Sequence, residues 1–532
     1  MIISINEASK ILNLLNSYGV IHPSLDSKLI ENLFLLQKKL LTINNQSLAK
    51  INVPVAIIGS GISGQYAAFI LTKLGFSNIT ILEAEKKFLG GRTSSVTLNG
   101  YICLPGAMRI PRDYLTDHLI KFLEIPTQTF YNETNDSLVL SVNKNGKAIV
   151  MAKKEALSTN LLKNNLLLKW ETELQYIASF LDKGVSWLDI INTLSLDKYT
   201  LKEYLTIKRE WSNAEYTSWS GSPLGDYNCF ESSGVLAWEI FGDHLLNYER
   251  KLEASNIANQ ASFTDEDMYT VDDIKQIPFK LFTLNQKHNV KQKFDCKITK
   301  IFSKENQLIL IDSNQNNFYF DYCFDTTPPH KSSGINIECS QKIFIDVSYP
   351  TNHILSNKFG SKGKFYILDK LRTYFSKHGF GDLYIFKHIT ENRCILMSYS
   401  WGNEARITYH QDKKSLPLAL FNALTIPIPG TIQAIFPELI FNGGIATPVE
   451  KAFRMTTKND LFRGYRFSPL NKEKNPYIST LANGIAFPGL FSENEWVSVA
   501  PGFIRTALFT ALKFCLNIYV KTCAKENYCH TQ

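Results

Sequence analysis

Three glycines near the start of the chain have the spacing needed to hold the phosphates of a dinucleotide. Gly59, Gly61 and Gly64 form a G-x-G-x-x-G pattern in the segment GSGISG. Gly59 allows a tight turn, Gly61 lets the backbone approach a pyrophosphate, and Gly64 lets a helix pack closely on a sheet. Glu83 follows roughly 20 residues further on, where a carboxylate accepts hydrogen bonds from ribose hydroxyls. The alternative is a glycine-rich turn in an ordinary βαβ unit.

The surrounding residues predict the elements that hold these groups in place. The apolar run 53–58 is typical of a strand that is buried on both faces. The next segment has apolar residues on one face of a helix that starts at Gly64 and stops near Gly75. A second strand, 79–82, ends at Glu83. The N-terminus of the helix offers free N–H groups and the positive end of its dipole to the phosphates.

The composition restricts the class of protein. A chain of 532 residues contains more than one domain or one large interleaved fold. It is 44% hydrophobic and 20% charged, as is ordinary for a soluble globular protein. The net charge of +8 is scattered and forms no basic arm, so we expect no nucleic-acid partner. The 9 cysteines contain no CxxC pair and predict reduced, buried thiols in a cytoplasmic protein.

The two ends of the chain predict packed helices. Residues 1–20 lack a basic region and a cleavage site, so we interpret 1–50 as an N-terminal helical extension instead of a signal peptide. The apolar stretch 502–520 carries Arg505 and Lys513, whereas a spanning helix has few or no charges. We therefore predict a packed helix there and no membrane partner.

A second group of residues predicts another phosphate contact. Gly90, Gly91 and Arg92 come shortly after Glu83. A glycine pair followed by arginine brings backbone and a guanidinium onto a pyrophosphate, with which arginine pairs through two hydrogen bonds. A simple nicotinamide dehydrogenase has no need of this second contact.

GSGISG, Glu83, the GGR segment and the later GAMRIP segment together resemble the flavin-dependent amine oxidase family. The resemblance is to its L-amino-acid oxidase branch, which includes aromatic amino-acid 2-monooxygenases. It is strong over 53–111, weaker but collinear through the central strands and the C-terminal helix, and loose between 150 and 270. It implies an α/β fold in which a Rossmann-like FAD-binding domain of the glutathione-reductase type is interleaved with a substrate domain of mixed sheet and helices.

We predict domain boundaries on this basis. The FAD-binding domain comprises 51–105, 282–332 and 450–522, and the substrate domain comprises 106–281 and 333–449. A C-terminal tail covers 523–532. The segments KIFIDVS, KFYILD, DLYIFKHI and RCILMSYSW are predicted strands of the mixed sheet.

The resemblance also implies the cofactor and the residues that contact it. FAD is expected to bind without a covalent bond, because covalent members use a cysteine before the last helix and 487–508 contains none. Ile298 is placed near the adenine. The implied FAD contacts are Gly59, Ser60, Gly61, Ile62, Ser63, Gly64, Glu83, Ala84, Gly91, Arg92, Ala107, Met108, Arg109, Ile298, Val499 and Ala500.

Four residues are candidates for substrate binding and catalysis. Arg109, in GAMR, offers the rigid pair of donors that a substrate carboxylate needs, and its alternative is a structural surface arginine. The resemblance places Lys342 beside flavin N5, where its ammonium orders a water; the alternative is an edge-strand lysine that resists aggregation. Tyr374 is a candidate pocket wall with a core role as its equal alternative. Trp496 lies where the C-terminal motif meets the flavin. The histidines show no ligand spacing, so we predict no metal and no histidine base.

Three places depart from the family pattern. Leu490 stands where the family has an acidic residue, Ser498–Val499 replaces Gly-Trp, and Asp273–Lys275 replaces Gly-Gly-Met. These changes concern the substrate cage more than FAD binding.

Several functions therefore stay open at this point. The first is FAD-dependent oxidation of an L-amino acid at the α-amino carbon, with oxygen as acceptor; an aromatic or apolar side chain is one option for this substrate. The second is an amino-acid 2-monooxygenase that forms an amide. The others are a flavin-binding protein without turnover that acts as a partner, and another flavin reaction such as a desaturation. The expected partners are a small amino acid and oxygen, and a homodimer stays open.

Overall fold

The structure is a computed structural model that places most of the chain. It describes residues 3–17, 27–43, 50–111, 113–130, 138–152, 164–196, 198–220, 237, 238, 241, 245, 268–327, 338–357, 362–387, 392–409, 411–452, 480–482, 487–492 and 504–526.

The strands, numbered in chain order, are β1 Val55–Ile58, β2 Ile79–Leu82, β3 Val96–Leu98, β4 Tyr101–Cys103, β5 Ile110–Pro111, β6 Gln128–Thr129, β7 Leu138–Val142, β8 Ala148–Ala152, β9 Met268–Thr270, β10 Lys291–Lys293, β11 Ile298–Lys304, β12 Gln307–Asp312, β13 Asn317–Phe320, β14 Tyr322–Asp325, β15 Glu338–Ser348, β16 Lys362–Ile367, β17 Asp382–Lys387, β18 Arg393–Trp401, β19 Ile440–Ala452 and β20 Leu490–Ser492.

The helices are α1 Ile5–Ser17, α2 Ser27–Leu41, α3 Ile62–Lys73, α4 Tyr114–Phe122, α5 Asn164–Asp182, α6 Trp187–Leu194, α7 Leu201–Glu203, α8 Asn213–Ser220, α9 Gln276–Lys287, α10 Ile354–Asn357, α11 Asp369–Lys377, α12 Gly402–Tyr409, α13 Leu416–Thr425 and α14 Ile504–Glu526.

A five-stranded parallel sheet forms the nucleotide-binding part of the fold. Its strand order is β10-β2-β1-β14-β20, and every neighbouring pair is parallel. The strands lie in three separated parts of the chain. Side chains at alternate positions of β1 pack on helices through Ile57 and on the antiparallel sheet β11-β12-β13 through Ile58. The predicted α/β fold with a Rossmann-like domain is confirmed.

The first helix differs from the sequence prediction at its start. α3 begins at Ile62, two residues before the predicted Gly64, because Gly61 already serves as its N-cap with extended backbone. Its end agrees, since Gly75 follows the helix with a φ of +93°. With this earlier start, the helix N-terminus comes immediately after Gly61.

Helix α14 is the long apolar C-terminal helix. By length and composition, Ile504–Ala524 could cross a membrane, but 78% of its most apolar window is buried inside the protein. The ring of Phe514 in this helix stacks on the ring of Phe324 in the parallel sheet, with 4.5 Å between the ring centroids. The helix continues to Glu526, beyond the predicted start of a tail at 523, because Cys523 is still buried in the packed face.

The N-terminal helices belong to the same core. Leu33, Leu36 and Leu40 of α2 are at most 2% exposed and share a hydrophobic cluster with α3 and α14. The Gln37 amide donates hydrogen bonds to the Tyr66 hydroxyl at 2.9 Å and to the Leu115 carbonyl at 3.1 Å. Residues 1–50 are helical, as predicted, within their described part.

A seven-stranded mixed sheet forms the second layer. Its order is β19-β15-β18-β17-β16-β7-β8, with β16 and β7 parallel and the other pairs antiparallel. The four segments predicted as strands of a mixed sheet are β15 to β18. On β15, Ile343, Ile345 and Val347 contact a cluster with α11 and α13, and we call this side the outer face. The opposite side, which carries Lys342, Phe344 and Asp346, is the inner face.

A separate helical cluster covers 164–220. Helices α5 to α8 and the π-helical turn Tyr204–Lys208 enclose an aromatic core around Trp170 and Trp219, whose rings lie 4.5 Å apart. In the part of the chain that the structure describes, six cysteines are buried, as expected: Cys103, Cys296, Cys323, Cys394, Cys515 and Cys523.

Candidate active site

The glycine-rich turn between β1 and α3 has the geometry of a phosphate cradle. Gly59 has a φ of +103°, which favours glycine. A Cβ on Gly64 would lie 2.1 Å from the Gly59 carbonyl oxygen, so this position allows helix and turn to meet. A Cβ on Gly61 would meet nothing within 4 Å, and its backbone is unstrained. The space over Gly61 at a helix N-terminus fits the pyrophosphate of a dinucleotide.

Glu83 lies at the carboxyl end of β2, beside this turn. Its carboxylate accepts hydrogen bonds from the Ser60 backbone N–H at 2.8 Å, the Ser60 hydroxyl at 2.5 Å and the Glu85 N–H at 2.9 Å. The two Ser60 donors share Oε2 and hold it against the glycine-rich turn, and the Glu85 N–H bonds Oε1. A ribose whose phosphate lies over Gly61 would meet the same carboxylate, so Glu83 and the turn fit one nucleotide.

The Gly90–Arg92 segment closes over the first turn. A Cβ on Gly91 would lie 3.5 Å from the Gly61 Cα, and Gly91 has a φ of +59°. Ala107 donates its N–H to the Arg92 carbonyl at 3.1 Å. A Cβ on Gly106 would lie 1.7 Å from the Arg92 oxygen. Backbone therefore lies close to backbone in two places, between Gly91 and Gly61 and between Gly106 and Arg92. Glycine is required at Gly106.

Lys342 is at the other end of this series of contacts. It is 1% exposed on the inner face of β15. Its Nζ donates to the Leu104 carbonyl at 2.9 Å and to the Gly106 carbonyl, and it lies 4.7 Å from the Tyr399 ring centroid. Burial, and next the charge of Arg109, hold the pKa of Lys342 well below its usual range. The edge-strand alternative is wrong, because β15 lies between β19 and β18.

Arg109 lies beside Lys342 and above the inner face of the sheet. Its guanidinium carbon is 5.9 Å from the centroid of the Tyr384 ring. The preceding residue, Met108, is 3% exposed, and its carbonyl accepts a hydrogen bond from the Thr270 hydroxyl at 2.7 Å. The backbone that carries Arg109 is thus fixed on both sides of the arginine, since β5 begins at Ile110.

Tyr374 lies away from these cations. It is on α11 and packs against the outer-face cluster, with its ring 4.1 Å from that of His378. Tyr374 is half-buried against the outer-face cluster, whereas Lys342 lies on the inner face. A packing role is the alternative considered for it.

The remaining cofactor candidates divide by location. Ile298 is buried beside Ile58 and Leu82, at the carboxyl ends of β1 and β2. Ser63 follows the glycine-rich turn and Ala107 follows Gly106 in the loop after β4, whereas the side chain of Ala84 is exposed. Trp496, Val499 and Ala500 lie outside the described residues. Within the described ranges, no group of three or more His, Cys, Asp or Glu side chains has the arrangement of a metal site.

Sequence reasoning selected neither Tyr384 nor Tyr399 as a candidate site residue. Tyr384 is 1% exposed under Arg109, and Tyr399 is the cross-strand partner of Lys342. The signal was available in the alternation of DLYIFK and LMSYSW, because every second residue of a strand faces the same side. The alternation alone does not show which side of the mixed sheet faces Lys342 and Arg109.

Comparisons with known proteins agree with this architecture. The family that matches is the NAD(P)-binding Rossmann-like domain, over residues 57–119. A triple mutant of putrescine oxidase with redesigned cofactor binding has a TM-score of 0.61 at 13% identity, covering 89% of this chain and 100% of that chain. Cyclohexylamine oxidase from Brevibacterium oxydans has a TM-score of 0.58 at 14% identity, with coverages of 88% and 99%. Wild-type putrescine oxidase bound to putrescine has a TM-score of 0.56 at 11% identity, with coverages of 88% and 99%.

No curated protein matches the chain. At these identities, the likeness to the solved structures concerns the fold. The chain thus has a Rossmann-like dinucleotide-binding domain joined to a mixed sheet and helices, in the arrangement found in these amine oxidases.

Proposed function

We propose that this chain binds FAD without a covalent bond and uses it to oxidise an L-amino acid at the α-amino carbon, with oxygen as the electron acceptor. One observation carries the proposal: a series of close backbone contacts joins the phosphate cradle to a buried lysine. Gly91 lies close to Gly61, Gly106 packs against the Arg92 carbonyl oxygen, and the Gly106 carbonyl accepts a hydrogen bond from Lys342. A single long cofactor running from Gly61 toward Lys342 would account for this arrangement.

Two features favour FAD over a nicotinamide cofactor. The Gly90–Arg92 segment brings a second stretch of backbone close to Gly61, where the pyrophosphate would lie. The solved structures of similar fold are named as oxidases of putrescine and cyclohexylamine. When bound, FAD would supply the acceptor for a hydride that leaves the substrate carbon.

Lys342 is suited to hold a water beside the cofactor. Burial lowers its pKa. Two of its N–H groups match the carbonyls of Leu104 and Gly106. The remaining position on Nζ is available for a hydrogen bond with a water or with the substrate amine. A buried lysine of this kind is typical of a functional site.

Arg109 supports an amino acid as substrate. An amine substrate carries a positive charge in solution, and the Arg109 guanidinium would repel it. A substrate carboxylate would pair with the same guanidinium through two hydrogen bonds. Burying that carboxylate without a partner costs several kcal/mol, so the arginine selects for its presence.

Amine oxidation is the second candidate function. It is favoured by the names of the structures with similar fold, since putrescine and cyclohexylamine have no carboxylate. In that case Arg109 would be structural, held over Tyr384.

The test begins with the purified protein. We expect a visible flavin spectrum, and we expect acid precipitation to release the flavin into solution because no covalent bond holds it. Under anaerobic conditions, an L-amino acid should bleach the flavin. With oxygen, a 2-oxo acid and ammonia indicate an oxidase, and an amide indicates a 2-monooxygenase. A protein that carries FAD but is bleached only by amines would replace the proposal with the second candidate.

A further inference from the structure

Asp346 is a buried carboxylate on the same face of β15 as Lys342. It is 0% exposed and accepts hydrogen bonds from three side chains. Arg393 donates from Nε at 2.7 Å and from Nη2, Asn99 Nδ2 donates at 2.7 Å, and Asn442 Nδ2 donates at 3.4 Å. Such a carboxylate is fixed in place, and so are the groups that donate to it.

Asn99 brings a distant hairpin to this carboxylate. It forms the β3–β4 turn with Gly100, and the two residues have φ angles of +47° and +88°, as in a type I′ turn. Its Nδ2 also donates to the Asn442 carbonyl at 3.1 Å. The Arg393 guanidinium carbon lies 5.0 Å from the centroid of the Tyr101 ring in the same hairpin. Three strands of the mixed sheet therefore hold the hairpin: β15, β18 and β19.

The hairpin leads directly into the loop that holds Lys342. β4 ends at Cys103, and the carbonyls of Leu104 and Gly106 accept hydrogen bonds from Lys342 Nζ. The hairpin and its loop are thus attached to β15 twice, once at Asp346 and once at Lys342. These two residues are about 13 Å apart along one strand, at about 3.3 Å per residue.

We propose that Asn99 and Asp346 are positioning residues that fix the Leu104 and Gly106 carbonyls around Lys342, and so aim its remaining hydrogen-bonding position at the cofactor. The proposal rests on the proposed function for its catalytic consequence. Asp346 acts through the hairpin and not through its charge. Arg393 pairs with that charge through two hydrogen bonds, from Nε and from Nη2.

The first test measures the loop itself and needs no cofactor. Asn99→Gly keeps the left-handed backbone of the turn and removes the side-chain amide. Asn289→Gly is the matched control, because Asn289 also has a positive φ, of +59°, but lies in the turn before β10. We expect hydrogen exchange in 104–109, including the Ala107 amide, to be at least tenfold faster in Asn99→Gly and unchanged in the control. Unchanged exchange in Asn99→Gly, and in Asp346→Asn as the second variant, would overturn the proposal.

The second test separates positioning from general loosening. The flavin is reduced with dithionite under anaerobic conditions and mixed with oxygenated buffer, so no substrate is needed. We expect Asn99→Gly to slow reoxidation about as much as Lys342→Met does, and to add nothing in the Lys342→Met background. If Asn99→Gly slows reoxidation by the same factor in the Lys342→Met background as in wild type, a role through Lys342 is refuted. A wild-type protein without flavin would reject the proposed function, whereas the exchange measurement would still decide whether the hairpin fixes the loop.

Discussion

Gly61 and Gly64 lie three residues apart, and a side chain meets different surroundings at each. A Cβ on Gly61 has open space, whereas a Cβ on Gly64 would lie 2.1 Å from the Gly59 oxygen. We expect Gly61→Val to lose FAD and to keep the melting temperature of the FAD-free wild type, because the new side chain fills the cradle and nothing else. We expect Gly64→Ala to lower the free energy of unfolding by about 1–3 kcal/mol through overpacking. Thermal melts and the flavin content of both variants make the comparison. A yellow Gly61→Val protein with one FAD per chain would show that the cradle is elsewhere.

The buried amine of Lys342 predicts a pH dependence of stability. Its pKa in the folded protein is lower than the usual lysine value of about 10.4, so between the two values the unfolded chain binds more protons. The free energy of unfolding therefore rises with pH in that window. We expect the difference in stability between Lys342→Met and wild type to favour the variant most at about pH 6 and to shrink toward about pH 10. Urea midpoints across this range measure it. A difference that does not change with pH would mean that Lys342 keeps an ordinary pKa.

At the scale of elements, α2 offers a test of whether the N-terminal helices belong to the core. Leu36 is 2% exposed, and its neighbour Leu35 is 53% exposed. We expect Leu36→Ala to lower the free energy of unfolding by about 2–5 kcal/mol, because it removes buried methyl groups and leaves a cavity. Leu35→Ala is the matched control and should change it by no more than about 0.5 kcal/mol. Equal effects of the two substitutions on the denaturant midpoint would mean that α2 is not packed on the protein.

The elements that sequence predicts best are those whose signals are local. β1, α3 and β2 carry apolar runs, turn glycines and a terminal carboxylate within about thirty residues, so the βαβ unit could be predicted with nearly correct bounds. The start of α3 was missed by two residues because Gly61 is the N-cap of the helix. Tyr374 shows the limit of such signals. Its helical pattern is local, but the face of the sheet on which α11 packs depends on strands far away in the chain.

At the scale of the whole molecule, the candidate site lies where two sheets meet. The parallel sheet contributes the phosphate cradle, the mixed sheet contributes Lys342, and the segment from Leu104 to Arg109 joins them. The hydrogen bond from Asn99 to Asp346 spans 247 positions of the chain. No periodicity or spacing in the sequence predicts such a contact, because it depends on the docking of a hairpin onto a strand of another sheet.

The central claim is that the site oxidises an amino acid, and Arg109 provides its most direct test. The measurement is the anaerobic rate of flavin bleaching by an L-amino acid and by the matching decarboxylated amine, in wild type and in Arg109→Lys. We predict that the wild type is bleached by the amino acid and not by the amine. Arg109→Lys should bind the amino acid more weakly by about 1.5–3 kcal/mol, because lysine keeps the charge but loses the second hydrogen bond. Equal bleaching of the wild type by both compounds, with no effect of Arg109→Lys, would contradict the account and indicate an amine oxidase.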